Sequence, residues 1–300
     1  MELKDVQAID TMCRVFYCEP EIVKPHFDFY EFRTMAYGTF GGVMKKLGIA
    51  PGEEWKVVAS LYKPSFEAML AEMDEIGVEK VFMDATKMWS FRHKALMADY
   101  SLELVADRVR QGKGRVVGGL SYNPFEIKKS LEDIEKGVKE YGFKYVWFHP
   151  ISFGLAPNDK KCYPLYGKCL ELGIPVTFQV GHSAEPLPSE VGHPMYADEV
   201  AIDFPDLKMV LTHTGWPWVE EWISMLWRHP NVYGNIGAYF PKGLSPALVE
   251  FMGGRGQNKV LWATNGFGLT RCKKELVELP ISDGAKRKVL RDNAANLFNL

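Results

Sequence analysis

A chain of 300 residues and 34.1 kDa is too long for one small core and of the right size for a single α/β barrel. With 47% hydrophobic and 25% charged residues, and a net charge of −2 with no long block of either sign, it reads as a soluble globular protein. That balance excludes a polybasic nucleic-acid or membrane surface and leaves a small molecule as the expected partner. No apolar run is long enough to cross a bilayer, and Met1-Glu2-Leu3-Lys4-Asp5 lacks the basic-then-apolar pattern of a secretion signal. Cys13, Cys18, Cys162, Cys169 and Cys272 match neither a zinc spacing nor a disulfide framework, so they read as packing residues and the expected location is cytoplasmic.

Residues 1–25 have weak periodicity and end in Lys24-Pro25, and they read as an N-terminal arm. The barrel is expected over 26–300. His26-Phe27-Asp28-Phe29-Tyr30-Glu31-Phe32 alternates and reads as the first strand, and 33–60, with Tyr37-Gly38-Thr39-Phe40-Gly41-Gly42 and Pro51-Gly52, as a long loop. A loop of that length is either a lid over the strand ends or a surface insertion. From Pro64 a strand-then-helix rhythm sets in. Phe66, Met69, Leu70, Met73 and Ile76 mark one face of a helix that Gly77 stops. Strand two is predicted over 80–86, a helix near 93–110, strand three over 115–121 and strand four over 144–149. A helix over 163–172 ends at Gly173, and strands five to eight fall at 174–180, 208–212, 231–236 and 259–265. Eight apolar strands joined by helical crossovers imply a single (β/α)8 TIM barrel. The first three βα junctions carry no G-x-G-x-x-G, which argues against nucleotide binding.

Ligands of such barrels bind at the carboxyl ends of the strands. Those ends supply Asp28, Tyr30 and Glu31, then Asp84, then Ser121 and Asn123, then His149. Gln179 and His182 follow, then His213, Asn235 and Asn265. Three of the seven histidines end consecutive strands, which favours a shared site over separate core roles. His26, His93 and His193 lack that placement, and His229 in Arg228-His229-Pro230 reads as a solvated helix cap.

Four stretches in order, Leu172-Gly173-Ile174-Pro175-Val176, Thr212-His213-Thr214-Gly215-Trp216-Pro217-Trp218, His229-Pro230-Asn231-Val232-Tyr233 and Asp292-Asn293-Ala294-Ala295-Asn296-Leu297-Phe298, carry a resemblance. The chain resembles the amidohydrolase-related group that includes aminocarboxymuconate semialdehyde decarboxylase, gamma-resorcylate decarboxylase and several lactonases. The resemblance implies a metal pocket with an H-x-H pair at the end of strand one, a histidine at strand five and an aspartate at strand eight, and with the strand-six histidine as partner. Here those positions fall on Tyr30 and Phe32, on Gln179 and on Asn265, and only His213 matches. Phenylalanine cannot bind a metal, and neutral amides are poor ligands beside imidazole and carboxylate.

No cofactor is therefore expected, with zinc or manganese left open through a rearranged site of His149, His182 and His213. The leading reading is an enzyme, a hydrolase or a decarboxylase of the carbon–carbon lyase type, acting on a small cyclic or aromatic carboxylated substrate. His213 would be the acid/base, His182 and His149 would assist, and Asn265, Gln179 and Tyr30 would donate hydrogen bonds to a developing oxyanion. Glu31, Trp216, Arg33 and Arg92 complete the expected substrate contacts, with Lys87 a further carboxylate anchor, and Tyr30, Phe32, Trp147, Trp216, Tyr239 and Phe240 would wall a planar ligand. The other reading is a barrel that binds without catalysis. The resemblance also implies a homo-oligomer.

Overall fold

The computed structural model describes residues 3–16, 19–266 and 268–300. Eight parallel strands form one curled sheet: β1 (Ala8–Asp10), β2 (Val78–Asp84), β5 (Val116–Leu120), β6 (Tyr145–Phe148), β7 (Val176–Gln179), β8 (Met209–Thr212), β9 (Val232–Asn235) and β10 (Val260–Leu261), each paired with the next. A separate hairpin of β3 (Lys87–Ser90) and β4 (Ala95–Asp99) follows β2. The first and last strands meet: the Thr11 N–H donates to the Trp262 carbonyl at 3.1 Å, and the Asp10 carboxylate accepts from the Thr264 N–H at 2.9 Å and from its hydroxyl. The chain folds as a single α/β barrel.

Period-two alternation sorts the strand residues onto two faces. Phe82, Tyr145, Trp147, Val210 and Leu261 pack inside the barrel, together with Ala294, Leu297 and Phe298 of a C-terminal helix. Their neighbours Val81, Val146, Phe148, Met209, Leu211 and Val260 pack outward against the helical layer. The same alternation carries His149 and Gln179 to the inner face at the rim, which is how the sequence places them at a site.

The helix over 66–76 forms as its pattern predicts. Phe66, Met69, Met73 and Ile76 are buried, Ser65 accepts from the Ala68 N–H, and Gly77 ends the helix at φ 69. Cys13, Cys162, Cys169 and Cys272 are buried, as packing residues would be; Cys18 lies outside the described residues.

The N-terminal quarter differs from its sequence reading. The first barrel strand is Ala8–Asp10, inside the segment read as an arm. Residues 26–32 are no strand: Pro20–Asp28 is a 3-10 helix, and Tyr30–Leu47 is an 18-residue α-helix, α1. A second helix, Trp55–Ala59, follows, so 33–60 is mostly helical. A strand of three residues is too short to show a period. The helix carries Gly38, Gly41 and Gly42, poor helix formers whose presence hid it. The residues 93–99, read as helix, belong instead to the hairpin.

Candidate active site

A cavity of about 400 Å³ opens at the carboxyl ends of the strands. Its floor and walls are the inner-face residues Trp147, His149 and Gln179, the loop residues His182 and Ser183 beyond β7, His213 and Trp216 beyond β8, Ala238 and Tyr239 beyond β9, and Asn265 beyond β10. Phe32, Met35, Thr39 and Phe40 cover it from α1. Phe32, Met35 and Thr39 are three and four residues apart, so they share one helix face.

The exits from the last three barrel strands are strained. His213 and Thr214 stand at φ 63 and 58, Ala238 at 67 and Asn265 at 59, all in the left-handed region that side chains disfavour. Strain of this kind gathers where side chains must be aimed. Gly181, at φ 80, meets a different demand, because a Cβ there would sit 2.5 Å from the Trp216 carbonyl oxygen. This close approach lets the His182 N–H donate to that carbonyl at 2.8 Å and locks the two loops together.

Each histidine has a distinct environment. His149 accepts from the Ser152 N–H at Nδ1, 3.1 Å away, so a neutral ring carries its proton on Nε2, which faces Ser183 Oγ at 3.5 Å; Ser183 in turn donates to Glu185. Burial, reinforced by the Arg14 charge, lowers the His149 pKa to about 3. Burial also holds His213 well below the ordinary histidine range, with Arg14 and His149 adding to it and the Asn265 side chain opposing. His213 Nε2 is buried without a hydrogen-bond partner. His182 stands edge-on to Trp216 and Trp218, with ring centroids 5.4 and 5.2 Å away.

The polar groups around these rings differ from expectation in one respect. Gln179 Nε2 donates to the carbonyls of Val180 and His182, which leaves Oε1 as its buried, unpartnered atom. Gln179 thus offers an acceptor, not the expected donor. Asn265 Oδ1, Trp147 Nε1 and the Tyr100 hydroxyl are likewise buried without partners, and all four residues line the cavity. Burial raises the Tyr100 pKa well above the ordinary value, so its hydroxyl stays a donor.

Of the expected site residues, His149, His182, His213, Asn265, Gln179 and Trp216 are brought together around the cavity. Tyr30, Glu31, Arg33 and Arg92 are not among its lining residues: the first three lie on α1 and not at a strand end, and Arg92 lies in the turn between β3 and β4. Arg92 stacks on the exposed Tyr30 ring at 4.4 Å, Arg33 donates to the Phe27 and Asp28 carbonyls, and Glu31 accepts from Ser90. Lys87 pairs with Asp99. His229 is a helix cap but a buried one, 2.7 Å from Asp198. Sequence reasoning missed Arg14, His26 and Tyr100. His26 packs against Phe32 and Tyr100, and burial lowers its pKa to about 4. Only the location of β1 could have exposed Arg14, four residues after Asp10.

The sequence profile of the amidohydrolase family matches residues 65–300. The chain belongs to the amidohydrolase family. It is accordingly an enzyme of the hydrolase or lyase type. No curated protein matches the chain. Among solved structures it is similar to an uncharacterized TIM-barrel protein from Bordetella bronchiseptica, at 23% identity, 98% and 99% coverage of the two chains and a TM-score of 0.74. It is similar also to 5-carboxyvanillate decarboxylase from Sphingomonas paucimobilis, at 17% identity, 98% and 99% coverage and a TM-score of 0.69. A third is a dihydroxybenzoic acid decarboxylase from Polaromonas, with bound manganese and the inhibitor 2-nitroresorcinol, at 16% identity, 100% and 98% coverage and a TM-score of 0.65.

The residues of this amidohydrolase do not fit such a metal. Among the described residues no group of three or more His, Cys, Asp or Glu side chains comes together that could hold one. The end of β1 reads Thr11-Met12-Cys13-Arg14, so the pair expected at strand one is absent from there as it was from 30–32. His149, His182 and His213 do not form a three-histidine site: one nitrogen of His149 is held by Ser152 and the other faces Ser183, and His182 packs on two tryptophans. No helix among the described residues is long and apolar enough to cross a membrane.

Proposed function

We propose that this amidohydrolase hydrolyses or decarboxylates a small planar substrate, cyclic or aromatic and carboxylated, by moving a proton through His213 without a metal. The observation that carries this reading is the set of buried, unpartnered polar atoms, His213 Nε2, Gln179 Oε1, Asn265 Oδ1, Trp147 Nε1 and the Tyr100 hydroxyl, on one aromatic-walled cavity at the strand ends. Buried polar groups are usually paired, and although Glu31, Thr177, Thr212, Asn235 and Trp262 also leave a buried polar atom without a partner, none of those lines the cavity, whereas these five face one open space that a ligand can fill. The names of the decarboxylases among its structural neighbours support the substrate class.

A resting His213 that is neutral can take a proton before it gives one. In a hydroxybenzoate whose hydroxyl is ortho or para to the carboxylate it would remove the phenolic proton and deliver it to the ring carbon bearing the carboxylate. The carbon–carbon bond then breaks, its electron pair returns through the ring to the phenolate oxygen, and carbon dioxide leaves. In a lactone the same imidazole would take a proton from water as the oxygen attacks the carbonyl, and return it to the leaving oxygen. Tyr100 and Trp147 donate to the oxyanion that develops, and Gln179 and Asn265 orient the substrate. His149 and His182 shape the pocket around this exchange, and α1 acts as the lid.

The test is a turnover screen of dihydroxybenzoates, other aromatic acids and pyrone or sugar lactones, with metal analysis of the purified protein. His213→Asn is expected to lower turnover on any hit by roughly 10²- to 10⁴-fold, the usual weight of a positioned acid/base. Unchanged turnover removes His213 from the mechanism. Stoichiometric zinc or manganese, with activity lost on chelation, sinks the metal-free reading. A barrel that only binds would be stabilised by a hit without converting it.

A further inference from the structure

Among the described residues that line the cavity Arg14 is the one lysine or arginine, and the mechanism above does not use it. The backbone leading into it is pinned twice. Two residues before it the Met12 N–H donates to Asp10, and one residue before it the Cys13 N–H donates to the Phe82 carbonyl at 2.9 Å on β2. Its guanidinium lies over the Trp147 ring, 4.8 Å from the centroid. Among the described residues it makes no ion pair and no side-chain hydrogen bond. The buried carboxyls of Asp10 and Asp84 feel its charge, which works against the rise that burial gives their pKa values, but their hydrogen bonds go elsewhere: Asp10 to Met12 and Thr264, Asp84 to Thr86 and Tyr145. Glu185, at the mouth, is taken by Ser183.

A guanidinium with five unspent donors, stacked on an indole and facing an aromatic cavity, is built to take a planar anion in a two-pronged grip. We propose that Arg14 is the anion subsite of this cavity, where it supplies from the end of β1 the positive charge that a metal supplies in the manganese-bound neighbour. The group it takes is one that keeps its charge through the reaction, a carboxylate other than the one that departs. A grip on the departing carboxylate would stabilise the starting state and slow its loss. The proposal deepens the function above and rests on it for the planar shape of the ligand.

The experiment measures equilibrium binding of 3-hydroxybenzoate and of its uncharged amide, 3-hydroxybenzamide, by calorimetry to the wild-type protein and to Arg14→Gln and Arg14→Lys. The wild type is expected to prefer the acid by roughly 10- to 100-fold, the scale of a charge-assisted pair of hydrogen bonds. Arg14→Gln should abolish that preference with the amide's affinity within about twofold of the wild type, and Arg14→Lys should restore part of it. A wild type with no preference for the acid, including one that binds neither compound, overturns the proposal even if the variants fail to fold. So does an acid preference that survives in Arg14→Gln. Turnover lost in His213→Asn but intact in Arg14→Gln would overturn the anion subsite and leave the function standing. An acid preference that depends on Arg14 in a protein that turns over no carboxylate would do the reverse.

Discussion

His149 and His213 line one cavity together with a guanidinium, and both are pushed toward the neutral form for the same two reasons, burial first and the Arg14 charge second. Their ring C–H resonances are therefore expected not to shift between pH 5 and 8 in the free protein, as followed by NMR. In Arg14→Gln the His149 midpoint should rise from about 3 while staying below the ordinary value, because the larger cause, burial, is untouched. A midpoint that does not move would separate Arg14 from the histidines. At this scale the sequence was legible wherever a residue continued a strand's inward alternation: Trp147 points to His149, and Thr177 to Gln179. The amide of Gln179 was not legible to the atom, since only the fold shows that the carbonyls of Val180 and His182 take its N–H groups. Arg14 was hidden because a lone arginine after a three-residue strand carries no periodic signal.

At the scale of elements, α1 is the weakest cover a cavity could be given. Gly38, Gly41 and Gly42 lie within it with no atom beyond the neighbouring residues and the helix's own backbone within 4 Å of where a Cβ would be, so alanine fits at each without a clash. Each glycine costs up to about 1 kcal/mol of helix stability relative to alanine. Replacing all three by alanine is expected to raise the melting temperature, slow amide exchange over 30–47 and lower the association rate of a cavity ligand. Faster exchange over those residues would show that α1 is held by its packing alone. The helix over 66–76 was legible because its cap, its buried face and its terminal glycine agree with one another. In α1 the glycines spoke for a loop while Phe32, Ala36 and Met44 packed as a helix, and packing prevailed.

For the molecule as a whole, the clasp between Asp10 and Thr264 ties stability to pH. Burial raises the Asp10 pKa from 3.8 to about 6 against three hydrogen bonds that oppose the shift. Between those values the unfolded chain has released a proton that the folded chain keeps, so the Asp10 contribution falls as pH rises, by on the order of 3 kcal/mol. His26 and His149, lowered to about 4 and 3, run the other way: their contribution is present above 6.5 and lost as pH falls. The total curve mixes these opposed trends, and the difference between Asp10→Asn and the wild type isolates the first. In urea unfolding measured from pH 4 to 7, the variant is expected to gain on the wild type as pH rises through about 6. A constant difference would mean that the Asp10 carboxyl titrates alike in both states.

That clasp joins residues 254 positions apart in sequence. The cavity inherits the separation, because Arg14 follows the first strand while His213 and Asn265 follow the sixth and the eighth. On the ribosome, residues 8–14 emerge well before residues 260–265 and must wait for all that lies between before β10 can meet β1. A nascent chain that stops short of about residue 265 can bury much of its core and still hold no site, so chemistry begins only when the barrel has closed on its own first strand.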